Sequence, residues 1–216
     1  MASPSTLRPR VTRLITALPA AGALTLCMAA VQPAHAQETP VPLFADGGFE
    51  NPTVPANTFT RFGVGGAIGR WKVTDGTVDL VGAGFWQAAE GHQSLDLEGD
   101  GPGTIEQPIP TRFGGCYTVT FSLAGNPDGG SSIKRGFARV TQNGIGHPTT
   151  QKNFTFDTTD KTRENLGYVQ ERFRFRALTP TVTLSFASTT GGGYGPVIDG
   201  VSVTLSHPLE CRFGHL

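Results

Sequence analysis

The chain has 216 residues, with 17 Lys and Arg against 17 Asp and Glu and no basic stripe, which excludes an electrostatic footprint for nucleic acid or anionic lipid. Glycine and proline are abundant (29 and 16), yet 14 phenylalanines punctuate the chain, so the composition points to many turns around a packed core and excludes a disordered polymer. Arg8, Arg10 and Arg13 precede the apolar run 14–31, which closes on Ala34-His35-Ala36: a basic n-region, an h-region and an A-x-A cleavage site, so residues 1–36 read as a secretory signal peptide. Pro19 and the small residues argue against a membrane anchor, and Leu26 before Cys27 argues against a lipoprotein. No later apolar run is long enough to span a bilayer. Cleavage leaves 37–216, 180 residues (216 less 36), with net charge −3 once the three leader arginines are gone. That length suits one β-sandwich domain with a real core, secreted and free of the membrane.

In chain order, Asp46-Gly47-Gly48-Phe49-Glu50-Asn51-Pro52 is a turn around a buried aromatic. Strands are expected at 58–62, 71–73 and 78–81. The intervening glycines at 63, 65, 66 and 69 miss the dinucleotide-binding spacing, and no helix follows them. The stretch 86–109 organises the rest: Ser94, Leu95, Asp96 and Leu97 alternate, a Gly-Pro turn follows, and Thr104-Ile105 re-enters a strand. This reads as a half-buried hairpin, with Leu95 and Leu97 inward and Asp96 and Glu98 on a solvated face. Residues 117–123 form the cleanest strand, with Tyr117, Val119, Phe121 and Leu123 on one face. Further strands are expected at 136–142, 153–157, 172–176, 181–186 and 197–205, and one short helical turn at 160–166. Nine or ten short strands without helical periodicity make an all-β sandwich or barrel.

Of the mature residues only Cys116 and Cys211 are cysteines, and in an exported chain they most simply form one disulfide; two free thiols are the alternative. Cys116 precedes the strongest strand and Cys211 follows the last, so a bond would pin the C-terminal tail.

No nucleophile elbow or zinc-protease motif occurs, and Ser131-Ser132-Ile133-Lys134 matches S-x-x-K only by letter, in a Gly-Gly turn. His92, His147, His207 and His215 are scattered. Asp96 and Glu98 stand about 7 Å apart along one strand, a spacing compatible with an inverting glycosidase, but they come from one element and lack a flanking aromatic subsite. Arg172, Arg174 and Arg176 form a solvated face or pair with those acids. Sugar binding needs aromatic platforms with polar groups beside them, and Phe85-Trp86-Gln87, Trp71 and Tyr194 are the candidates. Trp71 opens an apolar strand and reads as core; Trp86 is core or platform; Tyr194 lies among glycines as an exposed ring. Asp199 shares its parity with Val197, Val201 and Val203, which places a carboxylate on the core face, where it needs a partner, amide donors or a metal.

Ordered segments resemble the choice-of-anchor C family of secreted bacterial proteins and the plant cell-wall proteins of the domain-of-unknown-function 642 group. They are Asp46-Gly47-Gly48-Phe49-Glu50, Gly76-Thr77-Val78-Asp79, Trp86-Gln87-Ala88-Ala89-Glu90-Gly91, Ser94-Leu95-Asp96-Leu97, Gly103-Thr104-Ile105-Glu106-Gln107, residues 117–127 and Gly195-Pro196-Val197-Ile198-Asp199-Gly200-Val201-Ser202-Val203. The resemblance implies an antiparallel galactose-binding-like jelly-roll β-sandwich and association with extracellular polysaccharide; together with the lack of a nucleophile or acid pair in a recognisable setting, it makes a secreted, non-catalytic protein that binds cell-wall or extracellular polysaccharide the first reading. It also implies a structural calcium held by Asp46, Glu50 and Asp199, since related carbohydrate-binding modules clamp that ion between an N-terminal Phe-Glu segment and an Asp of the last strand; satisfaction of Asp199 by backbone amides or an arginine is the alternative. Asp46 and Gly200 stand where the family usually has Asn and a second Asp, and the chain ends soon after Cys211, so free secretion is expected over anchoring. An enzyme, a glycan hydrolase or esterase working through Asp96, Glu98 or Glu90, is the second reading, and an adhesive surface protein that binds another protein is the third.

Overall fold

The computed structural model describes residues 44–144, 146 and 148–211; the expected signal peptide, His147 and His215 lie outside them. Twelve strands follow in order: β1 (Phe59–Gly63), β2 (Ala67–Ile68), β3 (Trp71–Asp75), β4 (Thr77–Val81), β5 (Ser94–Asp96), β6 (Thr104–Pro110), β7 (Cys116–Gly125), β8 (Ile133–Gln142), β9 (Thr150–Asp157), β10 (Val169–Arg176), β11 (Thr181–Ser188) and β12 (Pro196–Ser206). They form two six-stranded antiparallel sheets, β1-β4-β5-β12-β7-β10 and β2-β3-β6-β11-β8-β9, stacked as the expected jelly-roll sandwich. The expected helical turn at 160–166 is a pair of ordinary turns.

Alternation decides which side of each strand meets the other sheet. Tyr117, Val119, Phe121 and Leu123 of β7 are all buried, and the Phe121 ring lies 5.0 Å from Phe186 of β11 and 5.7 Å from Phe154 of β9. Each such fully buried large side chain is worth roughly 1.5–3 kcal/mol of transfer free energy. Trp71 belongs to this core, packed against Phe44, Phe49 and Phe186, with its Nε1–H donated to the Asp46 carbonyl at 3.1 Å. Cys116 and Cys211 are joined, with Cα atoms 5.7 Å apart, and the bond fixes the 3₁₀ turn Pro208–Cys211 to the start of β7.

Two expectations are corrected here. Residues 86–109 do not form a hairpin, because β5 lies between β4 and β12 in one sheet while β6 lies between β3 and β11 in the other. The connection crosses the sandwich, braced by Gly99 N–H to the Thr77 carbonyl and Gly103 N–H to the Leu97 carbonyl, both near 2.9 Å or shorter. A Cβ on Gly103 would stand 2.3 Å from the Thr77 carbonyl oxygen, so this close crossing requires glycine. Asp199, in turn, is not on the core face. It pairs with Ser122, while Ile198 pairs with the core residue Leu123. A bulge between Asp199 and Ser202, with Gly200 at φ 55°, then restores Val201 and Val203 to the inside.

Candidate functional site

The outer face of the first sheet carries a cross-strand row that the register dictates: Arg61 opposite Asp79, and Asp79 opposite Asp96. Two long connections fold over this face, 82–93 between β4 and β5 and 158–168 between β9 and β10, tied by Gln87 N–H to the Arg163 carbonyl at 2.8 Å. Between these connections, the edge strand β1 and the β11–β12 loop lies an open cleft of about 580 Å³. Its rings are Phe59, Phe85, Trp86 and Tyr194, and its polar wall is Arg61, Asp79, Asp96, Asp100, Asn126, Asp128 and Arg163.

Both guanidinium groups are locked. Arg61 grips Asp79 through Nε and Nη2 at 2.8 and 2.9 Å and reaches Asp100 through Nη1. Arg163 grips Asp128 through Nε and Nη2, both 2.8 Å, and lies 4.1 Å over the Phe85 ring. Paired forks of this kind hold planar polar groups in fixed orientations.

Of the expected platform residues, Tyr194 is exposed and lines the cleft. Its ring rests on the backbone of Gly129, where a Cβ would come within 3.0 Å. Trp86 lines the cleft but is buried, with Nε1–H donated to Ser94 Oγ at 2.8 Å. Gln87 is exposed and is outside the cleft lining; its backbone, not its side chain, is what the structure uses. The candidate Phe85 is half-buried and lines the cleft, whereas Phe59, Arg61, Asp79, Asp128 and Arg163 were not singled out by the sequence. The sole local signal for them was the parity of Arg61 and Asp79 on strands that only the register makes neighbours.

The solvated face expected for Asp96 and Glu98 is corrected, since both are buried, at 1% and 0% exposure. Asp96 accepts N–H groups from Glu98 and Gly195 on Oδ1 and the Asn126 side-chain amide on Oδ2. Burial pushes its pKa up to about 8 against those hydrogen bonds, and the charges of Asp79 and Glu98 add to the rise. Glu98 accepts Ser188 Oγ–H and Gly191 N–H on Oε1 and Gly193 N–H on Oε2. It thereby fixes the loop that carries Tyr194. Arg174 pairs with Glu210 and not with either acid, and Arg172, Arg174 and Arg176 are exposed.

The three residues expected to hold calcium go to separate partners. Asp46 accepts Arg70 N–H, Glu50 accepts His92 and Gln93 N–H, and Asp199 accepts the N–H groups of Ala89, Glu90 and Gly200. Among the described residues, no three of His, Cys, Asp and Glu group closely enough for a metal ion. The carboxylate beside Asp199 is Glu90, placed over Gly48, where a Cβ would come within 2.6 Å of Glu90 Oε1. Burial pushes Asp199 up to about 7 against its three amide donors, and the Glu90 charge adds to the rise.

The family described as "Protein of unknown function (DUF642)" matches residues 42–204. Halomucin of Haloquadratum walsbyi is 27% identical over 174 residues, a match that covers 78% of this chain and spans about 2% of the length of that relative. The fold is similar to TmCBM61 solved with β-1,4-galactotriose (15% identity, TM-score 0.48, 76% of this chain and 99% of that one). It is also similar to the CBM22-1 xylan-binding domain of Paenibacillus barcinonensis Xyn10C (15% identity, TM-score 0.46, 77% and 95%). No helix among the described residues is long and apolar enough to cross a membrane.

Proposed function

The chain belongs to the DUF642 family, and we propose that it is a secreted, non-catalytic protein that binds cell-wall or extracellular polysaccharide in the cleft over the first sheet. The finer likeness to the choice-of-anchor C proteins is part of the same proposal. The observation that carries it is the make-up of the cleft: the rings of Phe59, Phe85 and Tyr194 stand beside two locked Arg–Asp pairs. Rings cover the apolar faces of pyranoses, and fixed planar polar groups meet the hydroxyls around their edges. The enzyme reading is disfavoured by geometry. Asp96 and Glu98 are 1% and 0% exposed, and protein N–H or O–H donors already engage their oxygens, which leaves both acids poorly placed to reach a glycosidic oxygen. Pull-down on insoluble polysaccharides and a glycan array, wild type against Tyr194→Ala and Phe85→Ala, tests the proposal. Retention weakened by both variants supports it; no retention on any glycan sinks it and leaves a protein partner as the better reading.

A structural calcium is a further part of the proposal. Oxygen-only donors suit that hard cation, and what supports it is the adjacency of the Glu90 and Asp199 carboxylates beside the Gly47-Gly48 turn. Among the described residues no Lys, Arg or His pairs with either acid. Glu90 and Asp199 would hold the ion, with Asp46 left on its Arg70 amide. The ion would supply the positive charge that two neighbouring carboxylates need.

A further inference from the structure

Resting on the glycan-binding reading above, we propose that the cleft selects uncharged polysaccharides and rejects those bearing uronate or sulfate groups.

The two cations of the cleft, Arg61 and Arg163, are both spent on protein carboxylates. Arg61 has Asp79 on one side of its fork and Asp100 on the other, and Arg163 has Asp128 on its fork with its face on Phe85. Leaving buried Asp96 aside, three carboxylates face two guanidinium groups, so the wall carries no surplus positive charge. Lys134, which lies beneath Tyr194, is turned away: the residue is fully buried and its Nζ–H is donated to the Gly129 carbonyl at 2.7 Å.

An Arg–Asp pair offers N–H donors and carboxylate lone pairs side by side. A sugar hydroxyl is donor and acceptor at once, so it can donate to the Asp oxygen and accept from the Arg N–H without disturbing the pair. A uronate carboxylate or a sulfate ester at the same place only accepts. It gains from the guanidinium only what it loses to the adjacent Asp, unless it displaces that Asp and leaves it unpaired. The arrangement therefore favours diols and penalises anions.

The mature chain is run in native affinity gels at about 0.15 M salt, where long-range charge effects are screened. The gels contain galactan, xylan, mixed-linkage β-glucan or galactomannan on one side, and polygalacturonate or alginate on the other. Retardation by at least one neutral polymer is expected, with polyuronate retardation weaker by about tenfold or absent. Asp128→Asn releases Arg163 and should raise polyuronate retention at least about threefold, whereas Asp75→Asn, an equal change of charge outside the cleft, should leave it unchanged. A melting scan confirms that each variant is folded, and Asp100→Asn serves in place of Asp128→Asn if the latter is not. Wild-type retention on a polyuronate equal to or above that on neutral polymers overturns the selectivity while upholding glycan binding. So does an Asp128→Asn variant indistinguishable from Asp75→Asn. No retention on any polymer overturns the glycan reading itself.

Discussion

Asp96 of β5 accepts a 2.7 Å hydrogen bond from the side-chain amide of Asn126, just beyond β7, and both residues are buried beneath the cleft. Asn126 Oδ1 in turn accepts the N–H of Asp128, which holds Arg163. The floor of the cleft is thus connected to its polar wall by a chain of four residues that passes through the Asp128 backbone N–H. A chain of that kind orients Arg163 without any contribution from the ligand.

The protonation of Asp96 in this floor, and of Asp199 under the amides of Ala89 and Glu90, has a consequence for stability. Asp96 and Asp199 have folded-state pKa values pushed to about 8 and about 7, above the unfolded value of 3.8, chiefly by burial. Each carboxyl therefore binds its proton more tightly when folded. The stabilisation is fully present below the unfolded pKa and is lost as the pH rises from about 4 through 7–8. In chelator, the melting temperature should fall steadily between pH 5 and pH 8.5, measured by calorimetry. Asp96→Asn should flatten that slope while lowering the melt at pH 5, because its new NH₂ group faces the Asn126 NH₂ donor. The cost of that mismatch is about 1–3 kcal/mol.

Trp86 and Tyr194 line one cleft but should respond in opposite ways. Trp86 is buried with its indole N–H on Ser94, so Trp86→Ala leaves a large cavity and should cost about 3–5 kcal/mol. Tyr194 is 37% exposed, and Tyr194→Ala should change stability by about 0.5 kcal/mol or less while weakening glycan retention severalfold. Denaturant melts paired with affinity gels separate the two. A Trp86→Ala variant as stable as wild type would return Trp86 to the role of a free platform.

Elsewhere the sequence announced faces well and partners poorly. The alternation of β7, with Tyr117, Val119, Phe121 and Leu123 inside, was legible because a strand in a sandwich has one apolar side. The same rule misplaced Asp199, since a single extra residue at Gly200 reverses parity, and no local pattern marks a bulge apart from an isolated glycine. It also misread Asp96 and Glu98. Polar residues on the outer side of a strand are solvated only if nothing covers them, and here residues 191–195 and Asn126 do. The cleft was largely illegible for the same reason. Arg61 pairs with Asp79 across strands, but Arg163 and Phe85 meet only because two long connections fold over one sheet. Tyr194 could be found because a lone aromatic ring among glycines has little to pack against locally.

Chelation examines the Glu90–Asp199 pair. With a cation bound there, excess chelator should lower the melting temperature by several degrees, and Asp199→Asn should reproduce most of that fall. Elemental analysis of the dialysed protein should find about one calcium per chain, which oxygen ligands of this kind retain. An unchanged melt with no metal detected would leave the three amides of Ala89, Glu90 and Gly200 as the whole of Asp199's compensation.

Reduction of the Cys116–Cys211 bond opens a constraint spanning 95 residues, worth roughly 4–5 kcal/mol in the chain-entropy picture. Reduced and alkylated protein should melt lower and lose hydrogen-exchange protection first over 206–211, because the 3₁₀ turn has no buried residue of its own. Alkylation of both cysteines in the unreduced protein would show that the bond does not form.

Glu98 acts on the cleft from behind. Its carboxylate accepts Ser188 Oγ–H at 2.5 Å, Gly191 N–H at 2.6 Å and Gly193 N–H at 3.1 Å, and so anchors a loop whose three consecutive glycines all have positive φ. Those glycines have the largest conformational freedom of any residue in the unfolded chain, so the loop that presents Tyr194 depends on this anchor for its order. Glu98→Ala should cost about 2–4 kcal/mol, since buried hydrogen bonds to a charged group are worth about 1.5–3 kcal/mol each and part of the loss is recovered by water. Glu98→Gln keeps the oxygen that serves Ser188 and Gly191 but turns an NH₂ toward Gly193, and it should fall between Ala and wild type. In Glu98→Ala the amides of Gly191 and Gly193 should exchange at least tenfold faster than in wild type, and glycan retention should fall with them although no cleft residue has changed. Unaltered exchange at both amides would show that the loop holds its shape by other means and that Glu98 has no part in placing Tyr194.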